Sequence, residues 1–169
     1  MWRKWFKNGE VTKEARRWVQ RATLVYIFLL VLMCFTPQVS DGIETPGIEH
    51  FGRVVVLLTP FNSFIRLGEI TSIWQLGKVI LQNIMNVFLL FPLIIQLLFL
   101  YPSLRHKKRI IWLSFLMSLG IELTQVFLDI FFDANRVFEI DDLWTNTLGG
   151  YLAYWAYRQL RKRSVSAKQ

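Results

Sequence analysis

The sequence is poor in the residues that build disulfide frameworks, metal sites and common hydrolytic centres. It has one cysteine, Cys34, so no intrachain disulfide can form and the redox compartment cannot be inferred. Its two histidines, His50 and His106, are isolated and fall in connections that we expect on opposite sides of the fold, which argues against a histidine metal site. The sequence also lacks a nucleophilic Ser–His pairing and a phosphate-cradling glycine loop. We therefore expect no metal and no cofactor.

Charge is also scarce, and it is confined to blocks. Only 19% of the residues are charged, whereas 53% are hydrophobic. The charged blocks separate four apolar runs, at residues 18–36, 79–101, 110–130 and 143–160. A helix needs about 20 residues to cross a hydrocarbon core about 30 Å thick. The pattern predicts an all-α membrane protein, a bundle of about four transmembrane helices. The first run lacks a small-residue cleavage site, so we expect it to be retained as a helix.

The basic residues are distributed asymmetrically along the chain. Of the 20 lysines and arginines, 16 lie before or at the start of the first helix, between the second and third helices, or near and after the end of the fourth. The positive-inside rule then places both termini in the cytoplasm. It divides the chain into a basic segment at 1–17, one transmembrane domain at 18–160 and a basic tail at 161–169. The net charge of +8 is better explained by basic residues that set the membrane orientation and contact lipid headgroups than by nucleic-acid binding. We therefore expect no nucleic-acid partner.

The first connection, residues 37–78, is long and is not uniformly polar. It contains the apolar run RVVVLLTPFNSFI, which begins at Arg53 and is interrupted by Pro60. The run is too short to span a bilayer. Two interpretations stay open. The run could be an interfacial or re-entrant segment that covers the outer end of the bundle, or it could be an extracellular loop with a few buried apolar residues.

Amides and carboxylates interrupt the apolar runs near the same membrane surface. At 1.5 Å per residue, those of the second and third helices lie about 7–14 Å below the outer surface, and those of the fourth lie at the surface or one turn in. They are Asn83, Asn86, Glu122, Gln125, Asp142 and Asn146. A central Asp costs about 2.5–3.5 kcal/mol in hydrocarbon, so such residues are candidates for a functional site.

Each candidate also has a purely structural explanation. The amides could serve only as hydrogen-bonding groups between helices. Glu122 is the strongest functional candidate, because such a contact does not require an ionisable group. Asp141 and Asp142 could cap the fourth helix, since acids favour helix N-termini. Gly149 and Gly150 are better explained by close helix packing than by chemistry.

Four ordered motifs are specific when they are taken together. RVVVLLTPF is followed by NIMNVFLLFP, then by SLGIELTQ, and finally by RVFEIDDLWTNTLG. Over residues 53–154 this set resembles the VanZ-like family of small integral membrane proteins. The resemblance implies a bacterial cell membrane and a link to low-level teicoplanin resistance, whose mechanism is not established. The family's polar positions correspond here to Arg53, Asn86, Glu122, Gln125, Arg136, Asp142 and Asn146.

The leading hypothesis is a pocket at the outer leaflet that binds or modifies a membrane lipid or a lipid-linked envelope precursor, contributing to glycopeptide tolerance. Glu122 and Asp142 are the candidate catalytic residues, with Glu122 as a general acid or base. Guanidinium groups bind phosphate and carboxylate well, and amides orient hydroxyl or amide groups. The candidate ligand-binding residues are Arg53, Asn86, Gln125, Arg136 and Asn146. The glycopeptide antibiotic itself is a further possible ligand.

The alternative hypothesis is a non-enzymatic membrane module that alters antibiotic access or joins an envelope complex. It needs only a shaped outer surface, with the polar cluster holding the bundle together. Ion or proton movement is a third hypothesis, but no acid lies in the cytoplasmic half of any predicted helix, so a complete pathway is missing. The sequence decides neither enzymatic activity nor oligomeric state.

Overall fold

The computed structural model of the chain describes residues 6–7, 10–39, 45–70 and 72–166. The helices are α1 (Lys13–Phe35), α2 (Asn62–Ile65), α3 (Ile73–Leu89), α4 (Phe91–Leu100), α5 (Lys107–Phe132) and α6 (Ile140–Ser166). The strands are β1 (Phe6–Lys7), β2 (Glu10–Val11), β3 (Glu49–Phe51), β4 (Val54–Leu57) and β5 (Val137–Glu139). Several charged residues of the sequence blocks, Arg3, Lys4, Asp41, Glu44 and Lys168, lie outside the described residues.

The predicted all-α membrane fold is confirmed, with a helix at each of the four predicted positions. Three stretches in the described part of the chain are long and apolar enough to cross a membrane: α1, the α3–α4 stretch Ile73–Leu100, and α5. α6 is as long, at 27 residues, but it is more polar and is not among the three. Its crossing of the membrane stays a prediction, as do the boundaries at residues 1–17, 18–160 and 161–169.

The predicted helix at residues 79–101 is in fact two helices. α3 already begins at Ile73, because the Ser72 hydroxyl accepts a hydrogen bond of 3.1 Å from the Gln75 N–H and so caps the helix. α4 starts directly after a break at Leu90 and carries Pro92 in its first turn. Proline lacks an N–H group and disturbs a helix interior, but a first turn accommodates it. The proline therefore explains why one predicted helix is divided.

α6 is the central helix of the bundle. It packs against α3, α4 and α5, whereas α1 packs against α4 and α5. Two glycines allow this close approach. A Cβ atom on Gly149 would overlap the Val87 carbonyl of α3, and one on Gly150 would overlap the Ser114 hydroxyl of α5. The prediction that these glycines serve packing is confirmed.

The apolar core lies where α4 and α5 meet α1 and α6. Leu90, Ile94, Leu98 and Ile110 are completely buried there. Burial of each such side chain contributes about 1.5–3 kcal/mol to the free energy of unfolding. This apolar core therefore stabilises the bundle.

A small mixed sheet covers one end of the bundle, which we call the sheet end. β3 pairs antiparallel with β4, with His50 opposite Val55, and β4 pairs parallel with β5, with Val56 opposite Phe138. Gly52 has a φ of +64° at the turn between β3 and β4, which glycine adopts without strain. The apolar run at residues 53–65 is thus a strand followed by the short helix α2. The sequence did not predict a strand there.

The opposite end, which we call the basic end, is held by ion pairs. The Glu10 carboxylate accepts hydrogen bonds of 2.5 and 2.8 Å from the Arg105 guanidinium, and it lies 3.6 Å from Arg161. These contacts connect the β1–β2 hairpin to the start of α5 and the end of α6. The up-and-down order of the four long helices therefore places the first and last described residues at the same end.

Candidate functional site

A cavity of about 770 Å³ lies at the sheet end, bordered by α1, α3, α5, the start of α6 and β5. Five of the seven residues that the sequence singled out line its wall. They are Asn86, Glu122, Gln125, Arg136 and Asp142. These residues come from three helices and from the loop before β5. The depth argument predicted that the four helical residues lie near one another, and the fold adds Arg136 to them.

Three carboxyl groups meet in this wall. Glu122 of α5 is 1% exposed, and its Oε2 atom accepts a hydrogen bond of 3.0 Å from the Glu139 N–H. The Asp142 carboxyl accepts a hydrogen bond from the Asn86 side-chain amide of α3. The Glu122 and Asp142 carboxyls lie within hydrogen-bonding reach of each other. Because ionised carboxylates only accept hydrogen bonds, such a bond requires one of the pair to carry a proton.

Glu139 completes the carboxyl cluster, although the sequence had placed it among the acids of an outer connection. Its Oε1 atom accepts a hydrogen bond of 2.5 Å from the Gln82 amide of α3. Burial, together with the neighbouring Asp142 charge, raises the pKa of Glu139 to about 8. Its carboxyl group is therefore mostly protonated at neutral pH and is able to donate a hydrogen bond. Only its position two residues before Asp141 could have pointed to it.

Arg136 is a buried cation in the same wall, with 6% of its surface exposed. Its backbone N–H donates to the Asp129 carboxylate at 2.8 Å, and its Nη2 atom donates to the Met33 carbonyl at 2.6 Å. Its Nε atom has no hydrogen-bond partner, and within the described residues Arg136 forms no salt bridge. Burial lowers the pKa of Arg136, but an arginine starts so high that it stays charged.

Gln125 lines the cavity from α5 and also fixes the neighbouring helix. Its Nε2 atom donates a hydrogen bond of 3.0 Å to the carbonyl of Cys34, near the end of α1. Together with the bond from Arg136 to Met33, this contact fastens the last turn of α1 to the cavity wall. The sequence predicted a ligand-binding role for Gln125, and the structure adds this positioning contact.

The other two predicted site residues lie outside the cavity wall. Asn146 is buried between α5 and α6, where its side-chain amide donates a hydrogen bond of 3.0 Å to the Ser118 hydroxyl. Arg53 is exposed at the turn between β3 and β4, and it donates a hydrogen bond of 3.4 Å to the Ile130 carbonyl. These contacts hold elements in place, and the predicted ligand contacts of both residues stay predictions.

The two adjacent acids at the start of α6 have separate tasks, and neither is the simple helix cap that was considered for them. The Asp141 carboxylate accepts hydrogen bonds from the N–H groups of Phe61 and Asn62, at 2.7 and 2.9 Å, and from the Trp144 indole at 2.9 Å. It thereby fixes the start of α2 over the sheet end. Asp142 faces the cavity.

One side of the cavity is bordered by exposed apolar side chains. Met33 of α1 and Leu81 and Met85 of α3 line the cavity, yet 48–59% of their surface is exposed. These are the helix faces that a membrane would surround. The cavity thus joins a buried polar wall to an apolar border between α1 and α3.

The comparisons with known proteins gave one match. A family model described as VanZ/LLP1 matches residues 23–161, which include every residue that lines the cavity. No curated protein and no solved structure matches the chain.

Proposed function

The chain belongs to the VanZ/LLP1 family, and from this premise we propose that its cavity binds or modifies a lipid or lipid-linked cell-envelope molecule and contributes to glycopeptide tolerance. One observation carries the proposal. A buried polar wall, with the carboxyl pair Glu122–Asp142 and the cation Arg136, adjoins an apolar border that faces the expected membrane. A molecule with a polar headgroup and an apolar chain is complementary to both parts.

The volume of the cavity and the energetic cost of the ionisable groups in its wall both support a ligand-binding site. Its volume of about 770 Å³ lies within the range of about 300–1,000 Å³ that small-molecule sites occupy. Ionisable groups inside a membrane protein are costly and are kept mainly where they act on a substrate or an ion. Contacts between helices alone would not require three carboxyl groups in one wall.

The proposed chemistry is proton transfer by the hydrogen-bonded carboxyl pair. In this proposal Glu122 and Asp142 hold one proton between them, so that the pair gives a proton to a bound group or takes one from it. Asn86 and Gln125 would orient hydroxyl or amide groups of the ligand beside the pair. This chemistry is the enzymatic form of the proposal, and a binding form needs the same contacts without the transfer.

The proposed orientation places the basic end in the cytoplasm and the sheet end outside, with four helices crossing the membrane. It rests on the contacts of Arg105 and Arg161 at one end of the bundle, and on the excess of basic residues in the sequence segments next to them. The cavity then opens to the outer leaflet, where the proposed lipid ligand would lie.

The test is native mass spectrometry of gently extracted protein, comparing wild type with Glu122→Gln. We expect a discrete co-purified lipid species on wild type that is depleted from folded Glu122→Gln. Glu14→Gln, which changes an exposed acid at the basic end, is the control and should retain the lipid. Glycopeptide susceptibility of cells producing each variant should follow the same order.

The outcomes separate the two forms of the proposal. A Glu122→Gln protein that supports full tolerance would exclude proton transfer by the pair, while retained lipid would keep the binding form. If wild type retains no lipid and the variants are equally folded, the cavity is not a lipid site. The non-enzymatic module that alters antibiotic access would then replace it.

A further inference from the structure

We propose that Arg136 is the anion-binding residue of the cavity, and that the ligand is a phospholipid-like molecule. Its phosphate would bind Arg136, and its acyl chain would leave between α1 and α3. This inference rests on the proposed function and names the class of its ligand.

The first observation is the incomplete bonding of a buried cation. Arg136 is 94% buried and uses Nη2 for the Met33 carbonyl, but its Nε atom has no partner and it forms no salt bridge within the described part of the chain. A buried charge without a counter-ion is expensive to keep. An anion bound against the side of the guanidinium that faces the cavity would supply the missing counter-ion, and phosphate oxygens fit its planar donor geometry well.

The second observation is that the acids near Arg136 do not pair with its guanidinium. The Asp129 carboxylate accepts the Arg136 backbone N–H, rather than a hydrogen bond from the guanidinium. Glu122 is occupied by the Glu139 N–H and by its neighbour Asp142. The protein therefore surrounds Arg136 with acids without pairing any of them to it, which leaves the guanidinium available to an external anion.

The third observation explains why the anion would belong to a larger headgroup. The cavity continues from Arg136 to the carboxyl cluster, where Glu122, Glu139 and Asp142 can accept hydrogen bonds from hydroxyl or amino groups. A phosphate linked to a hydroxyl-bearing group would satisfy both regions. A simple fatty acid carries no group for the second region.

The apolar border gives the route for the chain. Met33, Leu81 and Met85 line the cavity and are about half exposed, so an acyl chain beside them would contact both the protein and the surrounding lipid. A soluble phosphate compound would gain nothing from this border, and for this reason we assign the ligand to a lipid.

The test measures binding of defined ligands to delipidated protein in detergent. Native mass spectrometry would compare dioleoyl phosphatidylglycerol with dioleoylglycerol, which has the same chains and no phosphate, and with oleic acid. Thermal unfolding would measure binding of inorganic phosphate. The variants are Arg136→Gln and Arg136→Lys, and the control is Arg158→Gln, which changes an exposed arginine on α6 toward the basic end.

We expect wild type to prefer the phospholipid to both other lipids by about tenfold or more, because charged hydrogen bonds are strong. Arg136→Gln should remove that preference, Arg136→Lys should restore part of it, and Arg158→Gln should leave it unchanged. Met85→Trp, which obstructs the border from an exposed position, should weaken phospholipid binding about tenfold while inorganic phosphate still binds.

Each other result overturns the inference in an identifiable way. Equal binding of the phospholipid and dioleoylglycerol would refute the phosphate contact while leaving the proposed lipid function intact. Preference for oleic acid would refute the headgroup argument. Binding of inorganic phosphate alone would refute the lipid. If Arg136→Gln fails to fold, the comparison of the three lipids and the Met85→Trp variant still decide the question. Absence of any lipid binding to wild type would contradict the proposed function itself.

Discussion

The two ends of the bundle hold their charged groups in opposite ways. At the basic end, the Glu10 side chain is 48% exposed and is paired with Arg105 and Arg161. At the sheet end, Glu122 and Arg136 are 1% and 6% exposed, and neither forms a salt bridge within the described residues. At the basic end, an exposed acid is thus paired with a largely buried arginine, Arg105, and with the half-exposed Arg161, whereas at the sheet end an acid and an arginine are both buried and form no salt bridge.

The difference suggests that the charged groups at the basic end serve stability, whereas those at the sheet end serve ligand binding. An exposed ion pair contributes only about 0.2–1 kcal/mol, but it costs little to form. Buried charges without partners reduce stability, and replacing them with apolar groups is often stabilising. A protein that keeps them at the sheet end gives up stability there, and ligand binding is the physical reason that we propose.

The largest effect should follow from Asp141→Ala, which removes the support of the sheet end. The Asp141 carboxylate accepts three hydrogen bonds and is buried, so its loss leaves the N–H groups at the start of α2 without an acceptor. We expect a loss of about 3 kcal/mol, or about 6–12 °C in the midpoint of thermal unfolding in detergent. Asp141→Asn retains one acceptor and should lose less. Equal midpoints for wild type and Asp141→Ala would contradict this role.

Gly149→Ala should have the next largest effect on stability, and this effect should extend to both ends of the bundle. The added Cβ atom would overlap the Val87 carbonyl, so α3 and α6 must separate, at a cost of about 1–3 kcal/mol. Gly120→Ala meets no neighbouring atom within 4 Å and is the matched control. Hydrogen exchange should rise at both ends of α6 in Gly149→Ala, but mainly at the sheet end in Asp141→Ala. If the increase in hydrogen exchange were confined to one end of α6 in both variants, α6 would not couple the two ends of the bundle.

Glu139→Gln should change the pH dependence of stability. The folded state holds the Glu139 proton up to about pH 8, whereas the unfolded chain releases it near 4.5. The folded state therefore binds more protons between these values, so the unfolding midpoint should fall as pH rises from about 5 to 8 and then level off. Glu139→Gln should remove part of this fall, by about 2 °C or more. The same pH slope with and without the substitution would be the contrary result.

Glu10→Gln should have the smallest effect, at the basic end. It weakens ion pairs whose acid is exposed to solvent, so we expect a loss of about 0.2–1 kcal/mol in low salt. Salt at about 1 M screens such pairs, so the loss should nearly vanish there. Unfolding of wild type and variant at both salt concentrations measures this difference. A salt-independent loss of several kcal/mol would mean that the two ends are not as different as we infer.

The helices and their polar faces could be predicted from the sequence because they depend on local patterns. Apolar runs between charged blocks located all four long helices, although Ser72 and Pro92 set boundaries in the second that hydropathy alone did not reveal. Rise per residue was enough to place Asn86, Glu122 and Asp142 near one another. Each of these inferences uses only the spacing of residues within a helix.

The sheet and the full cavity wall could not be predicted, because they depend on contacts between distant segments. β4 pairs with the adjacent β3 along one edge, but along its other edge it pairs with β5, which lies about 80 residues later in the chain. That pairing buries Glu139 and turns Arg53 toward the Ile130 carbonyl, outside the cavity. The separate tasks of Asp141 and Asp142 likewise depend on where α2 lies, which no local pattern encodes.

The central position of α6 has a consequence for how the protein is made. α6 is enclosed by α3, α4 and α5 and is too polar to be counted with the three apolar stretches of the described chain. A helix of this composition gains little from lipid alone, and so its entry into the membrane should depend on partners that are already there. Because α3, α4 and α5 precede α6 in the chain, they leave the ribosome before it, and the order of synthesis becomes part of the folding mechanism that we expect.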